Sequence, residues 1–268
     1  MRATSTGRRS QPETRQAMKQ LLKRSAAARG VHLHTDASLP TGVNWLHDVR
    51  RSGLLGPAPQ FFDVGANTGQ TVSEIVSAFP DAKVHAFEPF ADPFARLSAL
   101  CTNLPRVTPV QLALGAEPGV LQVQPREISV LNSLLPQTGA VGTGAHETIR
   151  VDTVDNFCRT RGLGPIDVLK SDTEGYDLEV LRGAQAMLSA HDVVFVYLEV
   201  SFHRGNRQNT AFQPAFTLLT DLGYRFLGLY ETYSLHHFEE PNLFCNALFL
   251  SRSAFARSAN GLREGQCA

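Results

Sequence analysis

From residue 60 onward, short apolar runs alternate with stretches of helical period, and this alternation limits the fold more than any other property of the chain. Runs at 60–64, 83–87 and 107–114 are separated by helical patterns at 69–79 and 93–102. Parallel strands need a long crossover, usually a helix, so this spacing predicts βαβ units in a parallel sheet covered on both faces. The pattern resumes with a helix at 154–161, a strand at 166–170, a helix at 178–190 and a strand at 193–200. A helix at 212–222 ends at Gly223, and strands at 224–230 and 243–250 read as an antiparallel pair closing a seven-stranded, mostly parallel sheet. The expected class is α/β, Rossmann-like and doubly wound. Residues 118–151 interrupt the rhythm, with an added strand at 120–123 and a Gly-rich loop at 139–144.

The remaining segments fall outside that core. Residues 1–40 read as a flexible basic extension, because Arg2, Arg8, Arg9, Arg15, Lys19, Lys23, Arg24 and Arg29 face the single acid Glu13. Arg8-Arg9 is followed by no apolar stretch, so a twin-arginine signal is not expected. Residues 41–59 form a short helical segment, a candidate cover for an acceptor pocket, in which Trp45 is expected to pack on the sheet. The domain is placed at 60–252 and a tail at 253–268. No apolar run is long enough to span a membrane. A formal net charge of zero with 43% hydrophobic residues excludes a nucleic-acid binder built on global charge. Cys101, Cys158, Cys245 and Cys267 are scattered, which argues against zinc and disulfides and fits a reducing cytoplasm.

The first run ends in Asp63-Val64-Gly65-Ala66-Asn67-Thr68-Gly69-Gln70-Thr71, and Glu88 follows 19 residues past Gly69. A strand turning through glycines into a helix sets backbone N–H groups and a helix N-terminus beside a ligand. Asn67 occupies the middle glycine of G-x-G-x-x-G, the position at which a pyrophosphate lies on the backbone. The loop therefore reads as one for S-adenosylmethionine rather than a nicotinamide dinucleotide. Gly65 is expected to admit the cofactor, Gly69 to permit the turn and close helix packing, and Asp63 to balance the cationic end of the ligand. Glu88 is expected on the ribose hydroxyls.

These residues resemble the FkbM family of methyltransferases over about residues 40–250. The likeness rests on 63–71, on Ala86-Phe87-Glu88-Pro89, on Ala113-Leu114-Gly115, and on Ile166-Asp167-Val168-Leu169-Lys170-Ser171-Asp172-Thr173-Glu174-Gly175. Val180-Leu181-Arg182-Gly183-Ala184 and Leu198-Glu199-Val200 follow in the family's order. Ser171 stands where the family commonly has an aliphatic residue, and Tyr176-Asp177 where it often has a small residue and an acid. The resemblance implies S-adenosylmethionine as donor and usually a hydroxyl oxygen as acceptor, on natural products such as macrolides or on sugars of glycans and glycolipids. With the loop reading, it implies cofactor contacts from Asp63, Gly65, Ala66, Asn67, Gly69, Gln70, Thr71, Glu88, Pro89, Ala113 and Asp172.

Asp172, Glu174 and Glu199 should lie at the carboxyl ends of neighbouring strands, where α/β sheets bind ligands. Three carboxylates there repel unless one is protonated or a cation binds. Asp172 and Glu199 are therefore expected either to hold a divalent ion such as Mg, as in catechol-type methyltransferases, or to include a general base. An alternative is that Asp172-Thr173-Glu174-Gly175 merely caps the next helix. His203, four residues past Glu199, is a second base or ligand candidate, and His236-His237 a weaker one. The long segment 126–147 is a candidate lid. N-methylation and a non-catalytic S-adenosylmethionine-binding partner protein remain the competing functions, and the oligomeric state is not legible.

Overall fold

The computed structural model describes residues 11–31, 33–124, 133–134, 146–203, 206, 208–233 and 244–256. The Gly-rich loop at 139–144, most of the expected lid, His236-His237, Cys267 and most of the C-terminal tail lie outside the described residues. The chain divides into two units, residues 1–41 and 42–268. The first contains the helix α1 (Gln11–Ala27) and a single turn of 3₁₀ helix at Asp36–Ser38. Within the basic extension expected at 1–40, residues 11–27 are helical. Their run of Gln, Ala, Met, Lys, Leu and Arg consists of good helix formers, with Pro12 confined to the first turn.

The second unit opens with α2 (Trp45–Arg51), whose N-terminus is capped by the Asn44 side chain accepting from the His47 N–H at 2.8 Å. Then follow β1 (Gln60–Val64), α3 (Gln70–Ala78), β2 (Lys83–Phe87), α4 (Ala91–Cys101) and β3 (Val107–Val110). An inserted group has β4 (Ala113–Leu114), β5 (Gly119–Val123) and β6 (Glu147–Asp152). The fold closes with α5 (Val154–Arg161), β7 (Ile166–Ser171), α6 (Asp177–Arg182), α7 (Gln185–Ser189), β8 (Val193–Ser201), β9 (Thr210–Ala211), α8 (Phe212–Asp221), β10 (Tyr224–Tyr233) and β11 (Phe244–Ser251).

The main sheet runs β3-β2-β1-β7-β8-β11-β10, with β9 paired beside β8. The pairs among β3, β2, β1, β7 and β8 are parallel, and those of β11 with β8 and β10 antiparallel. This is the expected doubly wound, Rossmann-like order with an antiparallel pair at one end. Period-two alternation divides each strand between two cores. Phe62, Val64, Leu169 and Val196 face α5 to α8, while Phe61, Val168 and Phe195 face α2 to α4. Trp45 stacks on Tyr197 with ring centroids 4.2 Å apart, so α2 serves this second core. None of its residues lines the cavity described below, and the covering role considered for 41–59 has no support from the described residues.

Three differences from the sequence reading have local causes. The expected strand 107–114 is two strands, because Leu112 N–H turns back to the Val110 carbonyl at 3.0 Å and β4 joins the small sheet β4-β6-β5. Strand β6 was not foreseen, although Ile149 and Val151 alternate with polar neighbours. The single helix expected at 178–190 breaks at Gly183-Ala184 into α6 and α7. At Gly183 an added Cβ would overlap the Gly115 carbonyl oxygen, so the blocks 113–115 and 180–184 meet through glycine backbone.

Candidate functional site

The sheet order reverses about β1, whose successor β2 lies on one side and β7 on the other. Loops leaving the carboxyl ends of strands at such a point diverge and leave a crevice. Here it is a cavity of about 280 Å³ bounded by the loops after β1, β2 and β7, by Glu199 near the end of β8 and by β4. Its wall is apolar along Phe90, Leu112, Leu114 and Leu134, and polar along Asn67, Glu88, Lys170, Asp172 and Glu199. Leu134 and buried Ser133 are the described residues of the segment 126–145, and Leu134 reaches the cavity.

The loop after β1 is held by backbone geometry. Gly65 and Ala66 both donate to the Phe87 carbonyl, at 3.0 and 2.9 Å, tying the loop to β2. Gly65 has φ +81, and an added Cβ would overlap the Asp172 carbonyl oxygen. The glycine thus admits the neighbouring β7 loop, and it also lines the cavity in which the sequence reading had it admitting the cofactor. Gly69, at φ +95, starts α3 with its bare face against Leu97 and Leu100 of α4, as expected. Glu88 is 5% exposed and accepts from the Asn67 N–H at 3.0 Å through Oε2 and from the Phe90 N–H at 2.9 Å through Oε1. Burial pushes its carboxyl up to about 7 against those two hydrogen bonds.

Of the residues expected at a cofactor, Gly65, Ala66, Asn67, Gln70, Thr71 and Glu88 line the cavity, as do Pro89, Ala113 and Asp172. Asp63 and Gly69 do not, and the expected role of Asp63 changes. Its carboxylate is fully buried, with Lys170 Nζ 3.0 Å from Oδ1. Register places Asp63 opposite Lys170 on adjacent strands, so the two side chains share a sheet face. The same ammonium lies 3.3 Å from Asp172 Oδ2. Burial alone would lower the Lys170 pKa, but Asp63 and Asp172 outweigh burial and raise it. The group meeting the cavity is thus Lys170, with Asp63 as its counter-ion behind.

Asp172, Glu174 and Glu199 each bring a carboxylate oxygen within 4.8 Å of the others. The β7 loop achieves this through a tight turn in which Glu174 takes φ +52 and Gly175 φ +94. A left-handed glutamate costs on the order of 1 kcal/mol, and such strain gathers at functional sites. Asp177, fully buried at the start of α6, holds that turn. Its Oδ1 accepts from Ser171 Oγ at 2.6 Å, Thr173 N at 3.1 Å and Thr173 Oγ1 at 2.9 Å, and its Oδ2 accepts from Thr210 Oγ1 at 2.9 Å. Glu199, 8% exposed, accepts from Asn209 Nδ2. Sequence reasoning missed Asp177, Thr210 and Asn209. The acid following Glu174-Gly175 was visible, but a hub joining segments 33 residues apart leaves no local pattern. His203 is exposed and does not line the cavity, which withdraws support for it as a base.

Burial, with the charges of Asp172, Glu174 and Asp177, pushes the Glu199 carboxyl up to about 9 from its ordinary 4.5. A folded state that holds its proton more tightly than the unfolded chain loses relative stability as pH rises from 4.5 to about 9. Glu199→Gln cannot ionise. In EDTA its melting temperature is expected to exceed the parent's by about 3–6 °C at pH 8 to 9 and to converge with it near pH 5. A gap independent of pH would show that Glu199 carries no such strain.

Residues 63–226 match the family model described as the methyltransferase FkbM domain, which spans the loop after β1, Glu88 and the whole acidic cluster. The chain belongs to the FkbM methyltransferase family. Its sheet has the doubly wound, Rossmann-like α/β order. Two curated proteins are similar to this chain. Hexuronic acid methyltransferase AglP of Haloferax volcanii is 33% identical over 140 residues, 52% of this chain and 54% of that protein. 2-O-methyltransferase NoeI of Sinorhizobium fredii is 24% identical over 175 residues, 60% of this chain and 71% of that protein. The chain spans about half the length of the first. Among the described residues, no helix is long and apolar enough to cross a membrane.

The donor set of the cavity fits S-adenosylmethionine. Glu88 offers carboxylate lone pairs at the end of β2, and Phe90, Leu112, Leu114 and Leu134 give an apolar surface for a purine. The N-terminal turn of α3, with Gln70 and Thr71, borders the same space and offers backbone donors.

Proposed function

We propose that this chain transfers the methyl group to a hydroxyl oxygen of a saccharide or related natural product, with Asp172 as the carboxylate that receives the acceptor's proton. One observation carries the reading: Asp172 lines the cavity beside Glu88's loop and is 37% exposed, at the head of the Asp172-Glu174-Glu199 cluster. The hexuronic acid acceptor of AglP supports a saccharide, and the 2-O-methylation of NoeI supports an oxygen as the methylated atom.

S-adenosylmethionine supplies an activated methyl on a sulfonium, so the protein's work is alignment and proton removal. Glu88, Asn67 and Ala113 would hold the nucleoside part. Lys170, 3.3 Å from Asp172 and paired behind with Asp63, would hold the Asp172 carboxylate in position. Asp177 would fix the Ser171–Thr173 backbone so that Asp172 points at the acceptor. Glu199, which favours its protonated form at neutral pH, would donate a hydrogen bond to the acceptor rather than abstract its proton.

A second reading has a specific observation in its favour, the approach of three carboxylates to within 4.8 Å of one another. A divalent cation such as Mg²⁺ held by Asp172 and Glu199, with Glu174 beside them, would cancel the repulsion and lower the hydroxyl's pKa. Chelation separates the two. Under the first reading methyl transfer is expected to persist within about twofold in EDTA. A loss of more than about tenfold, restored by Mg²⁺, would replace it with the cation.

A further inference from the structure

We propose that α1 is an anchor for an anionic lipid surface, combining an uncovered apolar stripe with the chain's concentration of basic residues. Met18, Leu21 and Leu22 are 65%, 69% and 59% exposed. Their i, i+3, i+4 spacing sets them on one face. An isolated helix of 17 residues is marginal in water, and burial of such a stripe would stabilise it. Lys23 and Arg24, both exposed, follow the stripe in sequence and lie on the polar face of the helix.

The charge distribution selects the partner. Residues 1–30 contain eight arginines and lysines and one glutamate, leaving seventeen basic and twenty-four acidic residues in the remainder. A second copy of the same helix would bring like charges together. A nucleic acid would satisfy the cations and leave Met18, Leu21 and Leu22 in water. Headgroups of an anionic bilayer accept lysine and arginine while the acyl boundary takes the apolar stripe, so one surface serves both properties. The anchor is peripheral and does not depend on the identity of the methyl acceptor.

Co-sedimentation of the full chain tests this with vesicles of phosphatidylcholine alone and with about 30 mol% phosphatidylserine, at about 0.1 M salt. Partitioning onto the anionic vesicles is expected to be at least about tenfold stronger, and to fall in about 0.5 M salt. Two triple variants, Met18→Gln/Leu21→Gln/Leu22→Gln and Lys19→Gln/Lys23→Gln/Arg24→Gln, should each lose about tenfold or more. Both should retain the parent's calorimetric affinity for S-adenosylhomocysteine, which shows that the fold is intact. Equal partitioning onto neutral vesicles, no partitioning, or indifference to the apolar triple would overturn the proposal. So would self-association or RNA binding through α1 in place of vesicle binding.

Discussion

Asp172→Asn is expected to lower kcat for methyl transfer to a saccharide hydroxyl by about 10²- to 10⁴-fold, the range for loss of a positioned base. The amide preserves shape and leaves the backbone bond from Asp172 N to the Val64 carbonyl, 3.0 Å long, undisturbed. What it removes is the negative charge and basic oxygen 3.3 Å from Lys170 at the cavity wall. Affinity for S-adenosylhomocysteine should change by no more than about tenfold, because Glu88 and the loop after β1 are untouched. Single-turnover rates with calorimetry on the same preparation check both halves. A variant with unchanged kcat would remove Asp172 from the chemistry and leave it only as an ion-pair partner of Lys170.

Glu88→Ala is expected to weaken S-adenosylhomocysteine binding by about 100-fold or more. Two hydrogen bonds to a charged group contribute on the order of 1.5–3 kcal/mol each. Truncation also strands the Asn67 and Phe90 N–H groups, now paired at 3.0 and 2.9 Å, and loosens the cavity wall. Titration calorimetry measures the affinity, and thermal unfolding separates it from global loss of structure. Binding within about threefold of the parent's would contradict the placement of the ribose at Glu88.

The sheet was legible because every core strand is an apolar run bounded by a turn, and because β1 announces itself through Asp63 and Gly65. The edge of the pattern was not. Strand β6 alternates only Ile149 and Val151 against polar neighbours, and its partners come from β4 and β5. Glu88 was legible at the site because strand length and position suffice to place it at the end of β2. Asp63 misled for a reason confined to three dimensions. An acid near the end of β1 beside a cofactor loop invites a ligand contact, but its sheet-mate Lys170 sits opposite it and pairs with its charge. The acidic cluster could be assembled from strand order, whereas Asp177's four donors come from Ser171, Thr173 and Thr210. That convergence requires β9 beside β8, and a two-residue strand gives no periodic signal.

The most direct test of the account is transfer from methyl-labelled S-adenosylmethionine to a panel of neutral and uronic oligosaccharides, followed by mild alkaline hydrolysis of the product. An ether formed at a hydroxyl survives alkali, whereas an ester formed at a sugar carboxylate does not. The account predicts label in an alkali-stable methyl ether, lost in Asp172→Asn. Label that alkali releases, label on nitrogen, or tight cofactor binding with no transfer to any saccharide would contradict it.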